Sequence, residues 1–200
     1  YTSKGASARA GIDVSYSQGD IDWAAVAADG VDFAIIRLGY RGYTQGAIQT
    51  DSCFYQNIQG ALDAGLDVGV YFFSQAITPE EARQEADYVL SLLESYPITC
   101  PVVYDWEPIT FADGARTDQL EHEVLTQCAA AFCQRVAQAG YTPAVYFNQE
   151  MGYFSFDLKE LSPFQFWLAE YDSYPSFYYG FTLWQYTHEG RVDGIQTPVD

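Results

Sequence analysis

The chain has 200 residues, of which 48% are hydrophobic and 17% aromatic, and this content is enough to bury the core of one compact domain. Its formal net charge of −18 excludes a general binder of nucleic-acid phosphates, because such proteins need a basic surface that displaces counterions. No stretch approaches the roughly 18 consecutive apolar residues of a membrane-spanning helix.

Strand-like and helix-like patterns alternate through the first two thirds of the chain. The predicted strands are residues 10–15, 33–39, 67–74 and 101–107, which are short, β-branched or aromatic, and bounded by turn residues. The predicted helices are residues 21–29, 52–64, 79–95 and 118–139. Thr78 and Glu81 fit a capping box with Pro79 at the first helical position, and Gly140 fits a helix C-cap. The alternation predicts four βα units.

The rhythm changes beyond residue 142, where helical patterns become scarce. Residues 143–148, 164–171, 181–186 and 192–200 are predicted as strands joined by short loops. Eight strands in this order favour an α/β fold, a modified TIM-like barrel whose last third is strand-rich and has lost outer helices. In such a barrel the first and last strands are neighbours, and functional residues gather at the carboxyl ends of the strands.

The four cysteines, at positions 53, 100, 128 and 133, show no spacing typical of a zinc site. Cys128 and Cys133 on one helix would lie about 7.5 Å apart along its axis, too far for easy bridging. The barrel topology puts Cys100 and the lower half of the last predicted helix at the same end. If the chain has a disulfide, we expect it between Cys100 and Cys133.

The run Val102 to Pro108 carries the strongest chemical signal. Asp105 and Glu107 are two residues apart on a predicted strand, so both side chains point to one face, into the barrel mouth. Two neighbouring, partly desolvated carboxyl groups raise each other's pKa, which keeps one protonated as a general acid. An acidic pair at a strand end can also cap a helix or bind a hard cation, so the pair alone leaves its role open.

Two further acids lie at the ends of the first and last predicted strands. Asp13 and Asp200 would meet Asp105 and Glu107 in one pocket if the barrel closes. Such a pocket is costly without counter-charge, so a purely structural role would require a metal or several donors. Arg37 is a candidate donor, which could neutralise the acids or contact a substrate.

Seven runs of the chain resemble motifs of glycoside hydrolase family 25, the Chalaropsis-type lysozymes, in the same order. They are GIDVSYSQGDIDW (11–23), FAIIRLGYRG (33–42), GVYFFS (69–74), PVVYDWEP (101–108), VYFN (145–148), FWLAEY (166–171) and LWQYTHEGRVDGIQTPVD (183–200). The resemblance spans nearly the whole chain. It implies a barrel with about five helices, a single catalytic domain over residues 1–200, and hydrolysis of the β-1,4 bond from N-acetylmuramic acid to N-acetylglucosamine in bacterial peptidoglycan.

Residue by residue, the resemblance implies that Glu107 is the general acid and base, Asp105 its partner carboxylate, and Asp13 and Asp200 supporting acids. The aromatic residues that it places around the sugar cleft are Tyr71, Phe73, Tyr146, Trp167, Tyr171 and Trp184. Phe73 departs from the pattern, since a histidine often stands there. Asp105 could attack as a nucleophile or orient the substrate's 2-acetamido group, and we favour the second mechanism, with retention of configuration.

Three other functions remain open on the sequence: a glycan-binding barrel without turnover, a chitinase-like glycosidase, and a metal-dependent phosphodiesterase. His122 and His188, the chain's two histidines, are expected at the surface, so a histidine-rich metal site is unsupported. We expect neither a metal nor a cofactor. Residues 1–9 lack the apolar core of a signal peptide. We expect a mature or excised part of a monomeric protein that acts outside the cell or at its surface.

Overall fold

The computed structural model describes residues 8–200, so most of the segment 1–9 falls outside it. It shows a curled, mainly parallel sheet with helices on its outer side. The strands are β1 (Gly11–Val14), β2 (Phe33–Arg41), β3 (Ile48–Thr50), β4 (Asp67–Phe73), β5 (Val102–Asp105), β6 (Pro143–Asn148), β7 (Gln165–Ala169) and β8 (Leu183–Gln185). The helices are α1 (Trp23–Ala28), α2 (Phe54–Asp63), α3 (Pro79–Leu93), α4 (His122–Gln138) and α5 (Gln149–Phe154).

The strand order is β1-β2-β4-β5-β6-β7-β8, and all of these neighbours pair in parallel. The predicted barrel-like α/β fold is confirmed. Within the described residues its eight strands include β3, a short antiparallel partner of β2 that the sequence did not predict. The predicted eighth strand, at residues 192–200, is wrong.

The tail from residue 190 onward forms turns and a single bridge between Gly190 and Val199. Gly194 has a φ of +97°, and a Cβ there would lie 2.4 Å from the carbonyl oxygen of Asp22, so a side chain would be excluded. The Asp13 N–H donates to the Asp200 carbonyl at 3.1 Å. Among the described residues no ladder joins β1 to β8; the tail covers this gap, which we call the seam.

Two apolar clusters sit on the two sides of the sheet. The larger one lies between the strands and the helices, where α3 packs on α4. The smaller one fills the barrel interior and consists of Ile35, Val103, Ala144, Tyr146, Trp167 and Ala169. The interior cluster supports the carboxyl ends of the central strands, where the acidic residues lie.

The helix ends agree with the predicted caps only in part. The Thr78 hydroxyl accepts a hydrogen bond from the Glu81 N–H at 3.2 Å, with Pro79 in the first turn. The Glu81 carboxylate accepts from the Ile77 N–H instead of completing a capping box, and it also pairs with Arg116. Helix α4 begins at His122 rather than at residue 118, and it ends before Gly140, whose φ is +89°.

Cys100 and Cys133, the pair named for the case that the chain has a disulfide, are not bonded, since all four cysteines are free. Cys133 is buried in the cluster between sheet and helices, with its thiol 3.7 Å from the Ala144 carbonyl. Cys100 packs against the barrel interior. The sheet therefore separates the two thiols. None of the helices within residues 8–200 has the length and apolar character needed to cross a membrane.

Candidate active site

The four acids singled out from the sequence meet at the carboxyl ends of the strands. Asp13 lies in β1, Asp105 ends β5, Glu107 follows it by two residues, and Asp200 reaches them through the tail. One pocket is lined by Asp13, Tyr71, Asp105, Glu107, Tyr146, Trp167, Tyr171, Gln185, His188 and Asp200. The pocket thus combines four carboxyl groups with aromatic walls.

Asp105 is the most deeply placed of the four acids, with only 5% of its surface exposed. Burial raises its pKa well above the ordinary range, and the charges of Glu107 and Asp13 raise it further, while Arg37 lowers it. Its Oδ1 is buried and has no hydrogen-bond partner among the described residues. The Ser74 N–H holds its backbone carbonyl at 2.7 Å. The backbone of Asp105 is therefore held in place, while one of its carboxyl oxygens has no donor among the described residues.

Glu107 is only partly buried, so its carboxyl group can reach a bound molecule. Burial raises its pKa, and the charge of Asp200 adds to the effect. Its backbone carbonyl accepts a hydrogen bond at 3.0 Å from the side-chain amide of Gln75. The Thr117 hydroxyl in turn donates to Gln75 Oε1 at 2.7 Å. These two bonds stabilise the segment beyond the end of β5.

Asp13 and Asp200 face each other across the seam. Burial, followed by the charge of Asp200, raises the pKa of Asp13 to about 8. Burial also raises the pKa of Asp200, which His188 opposes. Because the pKa of Asp13 is about 8, Asp13 holds its proton at neutral pH.

Gln185, the last residue of β8, was missed by the sequence analysis. Its amide nitrogen donates to Asp13 Oδ2 at 2.9 Å. Its Oε1 accepts from the hydroxyls of Tyr146 and Tyr171, both at 2.8 Å. Three pocket side chains are therefore oriented through one amide. His188 was correctly expected at the surface, but it lies at the pocket rim with its ring 4.7 Å from that of Tyr171.

Four of the six predicted cleft aromatics line the pocket: Tyr71, Tyr146, Trp167 and Tyr171. Tyr71 and Tyr146 both contact the Trp167 ring edge-on, at 6.4 and 5.0 Å between centroids. These rings form a rigid wall beside the acids.

Phe73, Trp184 and Arg37 do not line this pocket. Phe73 is level with Asp105 on the neighbouring strand. The Trp184 indole N–H donates to the Glu170 carbonyl at 2.8 Å, and the side chain borders a separate cavity at the seam. Arg37 pairs with Asp51 at 2.7 Å and lies over the Tyr16 ring, so it acts on Asp105 through its charge alone.

The family model of the glycosyl hydrolases family 25 matches residues 12–195 of the chain. The chain belongs to this family. The match includes Asp13, Asp105 and Glu107, whereas Asp200 lies beyond it and joins the pocket by its position in the structure. Within residues 8–200 no group of three or more histidine, cysteine, aspartate or glutamate residues is arranged to hold a metal ion.

Two relatives of this family-25 chain are named as lysozymes. Lysozyme M1 of Streptomyces globisporus is 30% identical over 95% of this chain and 65% of its own length. The autolytic lysozyme of Clostridium acetobutylicum is 27% identical over 95% of this chain and 54% of its own length. The chain thus spans between half and two thirds of these relatives. The structure of a bacterial lysozyme from Streptomyces coelicolor matches with a TM-score of 0.76 and 26% identity, covering 98% of this chain and 91% of that one.

Proposed function

We propose that the chain is an N-acetylmuramidase that hydrolyses the β-1,4 bond between N-acetylmuramic acid and N-acetylglucosamine in peptidoglycan. The observation that carries this proposal is the set of four carboxyl groups in one aromatic-walled pocket, on a family-25 domain. The names of the lysozyme relatives support the same substrate. Residues 1–200 would form a single catalytic domain that works as a monomer, outside the cell or at its surface.

Glu107 is proposed as the general acid and base. It is the more accessible member of the Asp105–Glu107 pair, and burial and Asp200 raise its pKa, which favours the protonated form that a glycosidic leaving group needs. After the bond breaks, the resulting carboxylate would take a proton from the incoming water.

Asp105 is proposed to orient the substrate's 2-acetamido group, whose oxygen then attacks the anomeric carbon. The buried Oδ1 of Asp105, which no donor within residues 8–200 contacts, suits an acetamide N–H. That hydrogen bond would favour the ionised form of Asp105 and lower its pKa. Substrate binding would thereby concentrate the shared proton on Glu107. Direct nucleophilic attack by Asp105 is the alternative, and a covalent glycosyl ester trapped on Asp105 would establish it.

Asp200 is proposed to support the negative field that stabilises the developing positive charge of the sugar, and Asp13, which holds its proton at neutral pH, is proposed as a supporting acid beside it. Gln185 would be a positioning residue, because it holds Asp13 and two tyrosine hydroxyls at once. Tyr71, Tyr146, Trp167 and Tyr171 would pack against the apolar faces of the sugar rings.

The test is hydrolysis of purified peptidoglycan by the unmodified chain and by Glu107→Gln, with identification of the new reducing ends. Muramic acid ends that disappear in the variant are expected. Glucosamine ends would refute the bond assignment. Binding to peptidoglycan without any new ends would instead indicate a glycan-binding barrel.

A further inference from the structure

An exposed aromatic surface lies outside the pocket, on α5 and on the loop between β7 and β8. Its exposed rings are Tyr153, Phe154, Tyr178 and Tyr179, and together with the buried Phe177, which contacts two of them, we call them the platform. Each ring contacts another, and Tyr153 lies within 4.9 Å of Phe177 and within 6.4 Å of Phe154 and Tyr179 between centroids. Tyr178 is 85% exposed and Phe154 is 68% exposed. Contiguous exposed apolar surface of this kind marks a binding site.

The platform is held rigidly despite its exposure. Phe177 is buried and packs on Phe147 of the core at 5.5 Å. The Glu170 carboxylate accepts hydrogen bonds from the backbone N–H groups of Ser176 and Phe177, at 2.7 and 3.2 Å. The Tyr153 hydroxyl accepts from the Tyr178 N–H at 2.9 Å. Because the rings are already in place, little conformational entropy is lost when a ligand binds.

The charge pattern restricts what the platform can bind. Residues 173–186 contain no charged side chain, in a chain that has 27 acidic residues. An anionic polymer such as peptidoglycan is repelled by most of this protein, and the loop part of the platform adds nothing to that repulsion, although Glu150 is exposed one turn before Tyr153 and Phe154 on α5. Tyrosine also offers a flat face and a hydroxyl, which together suit a sugar ring with its apolar face and hydroxyl rim.

One residue, Glu170, connects the platform loop to the residues of the pocket. The Glu170 N–H donates to the Gln185 carbonyl at 3.1 Å, while its carboxylate fixes Ser176 and Phe177 of the platform loop. Tyr171, the next residue, lines the pocket. We propose that the platform is a second, noncatalytic binding surface that stacks N-acetylhexosamine rings of the same glycan strand. This inference rests on the proposed function.

The experiment measures co-sedimentation with insoluble peptidoglycan whose stem peptides have been removed enzymatically. Glu107→Gln serves as the parent, so that the glycan is not consumed. Tyr178→Ser combined with Tyr179→Ser is compared with Tyr55→Ser combined with Phe111→Ser, a control pair that removes rings exposed to similar extents on other surfaces. We expect the apparent Kd to rise about tenfold for the platform pair, as the loss of two stacking contacts implies, and to change less than twofold for the control pair.

A second readout uses the chain with its native Glu107. The platform pair should cleave a short soluble tetrasaccharide at the unmodified rate and insoluble glycan more slowly. If the double variant loses its fold, Phe154→Ser replaces it, because that ring lies 68% exposed on the other side of the platform.

Three results would overturn the inference: equal Kd values for both pairs, binding only to glycan that keeps its stem peptides, or a dimer of the parent that the platform variant abolishes. The proposed function is judged separately. Reducing ends without any effect of the platform variants would refute the platform alone, whereas platform-dependent sedimentation without reducing ends would refute the muramidase alone.

Discussion

Buried acids at two places in this chain have opposite hydrogen-bonding environments. Between the sheet and the helices, Glu85 accepts hydrogen bonds from Arg41 and Ser74, both at 2.6 Å. In the pocket, Asp105 has a carboxylate oxygen without a partner among the described residues, and Arg37, which lies near enough to lower its pKa, is paired with Asp51.

The contrast separates an acid that stabilises the fold from the acids that we propose for catalysis. Burial raises the pKa of Glu85 to about 7, but its bonds to Ser74 and Arg41 oppose the shift and connect β2, β4 and α3. Asp105 and Asp13 have raised pKa values with far less compensation, which destabilises the folded chain at neutral pH. Such a cost is typical of sites under selection for activity.

The largest expected effect is on turnover. Glu107→Gln should lower kcat on peptidoglycan by about 10²- to 10⁴-fold, because it removes the proton donor. Glu85→Gln, an equally isosteric change outside the pocket, should leave kcat within about threefold, a factor that corresponds to less than 1 kcal/mol. Reducing-end assays on folded protein measure both. A comparable loss in both variants would abolish the distinction between the acids at the two places.

Substitutions at these two places should change the free energy of unfolding in opposite directions. Glu85→Gln leaves Arg41 buried beside a neutral partner and should lower the free energy of unfolding by about 3 kcal/mol. Asp105→Asn removes a repelled, desolvated carboxyl and should raise it by about 1–2 kcal/mol. Urea unfolding at pH 7 gives both values. Destabilisation by Asp105→Asn would show that the aspartate is satisfied in the folded protein.

Gln185→Glu sharpens the comparison inside the pocket. The new carboxylate still accepts from Tyr146 and Tyr171 but can no longer donate to Asp13, whose pKa should rise further. We expect kcat/KM to fall about tenfold, or about 1.4 kcal/mol, and the pH profile to shift. Tyr146→Phe, which removes one donor and leaves the Asp13 bond intact, is the control and should keep the pH profile of the unmodified chain.

The pH dependence of stability tests the raised pKa of Asp13. The pKa of Asp13 is about 8 when folded and near 4 when unfolded, so the folded chain binds the extra proton between these values. This contribution is present below pH 4 and is lost as the pH rises to 8. Asp13→Asn should therefore flatten the decline in Tm over this window. An unchanged slope would contradict the raised pKa.

The smallest expected effect is the dependence of activity on ionic strength, which follows from the net charge of the whole chain. A chain with a net charge of −18 is repelled by anionic peptidoglycan at long range, and salt screens this repulsion. Activity should rise about two- to threefold between low and moderate ionic strength, and also as the pH falls. Short soluble fragments of the glycan strand, which carry far fewer charges than the polymer, serve as the control substrate and should show a much smaller salt effect. Flat activity on peptidoglycan would count against electrostatic repulsion.

Hydrophobic patterning predicted most of the fold but not its ends. Strands β1, β2 and β4 to β8 each overlap a predicted strand, because buried parallel strands are continuous apolar runs bounded by turns. Residues 192–200 looked similar in composition, yet Gly194 and the approach of the tail to Asp22 impose turns. Cys100 and Cys133 were predicted to lie at the same end of the barrel, but they lie on opposite sides of the sheet. Strand patterns alone do not show on which side of the sheet a residue lies.

The sequence predicts those site residues whose position follows from the alternation of side chains along a strand. Asp105 and Glu107 share the pocket, as the two-residue period requires. Trp184 was chosen from β8, but Gln185, its neighbour on the opposite face, enters the pocket. Gln185 pairs with Ala169, an interior residue, so the register of β7 and β8 was the missing information. Bonds made by long side chains across strands cannot be read from one sequence.

The seam makes one side of the pocket easier to deform than the others. Asp13 and Asp200 lie on its two sides and are joined by one backbone hydrogen bond, whereas β4 and β5 are tied by a ladder. Ionising both acids pushes the two sides apart, so the width of the pocket is coupled to its own charge. Amide hydrogen exchange should therefore be faster along the seam than anywhere in the central ladders.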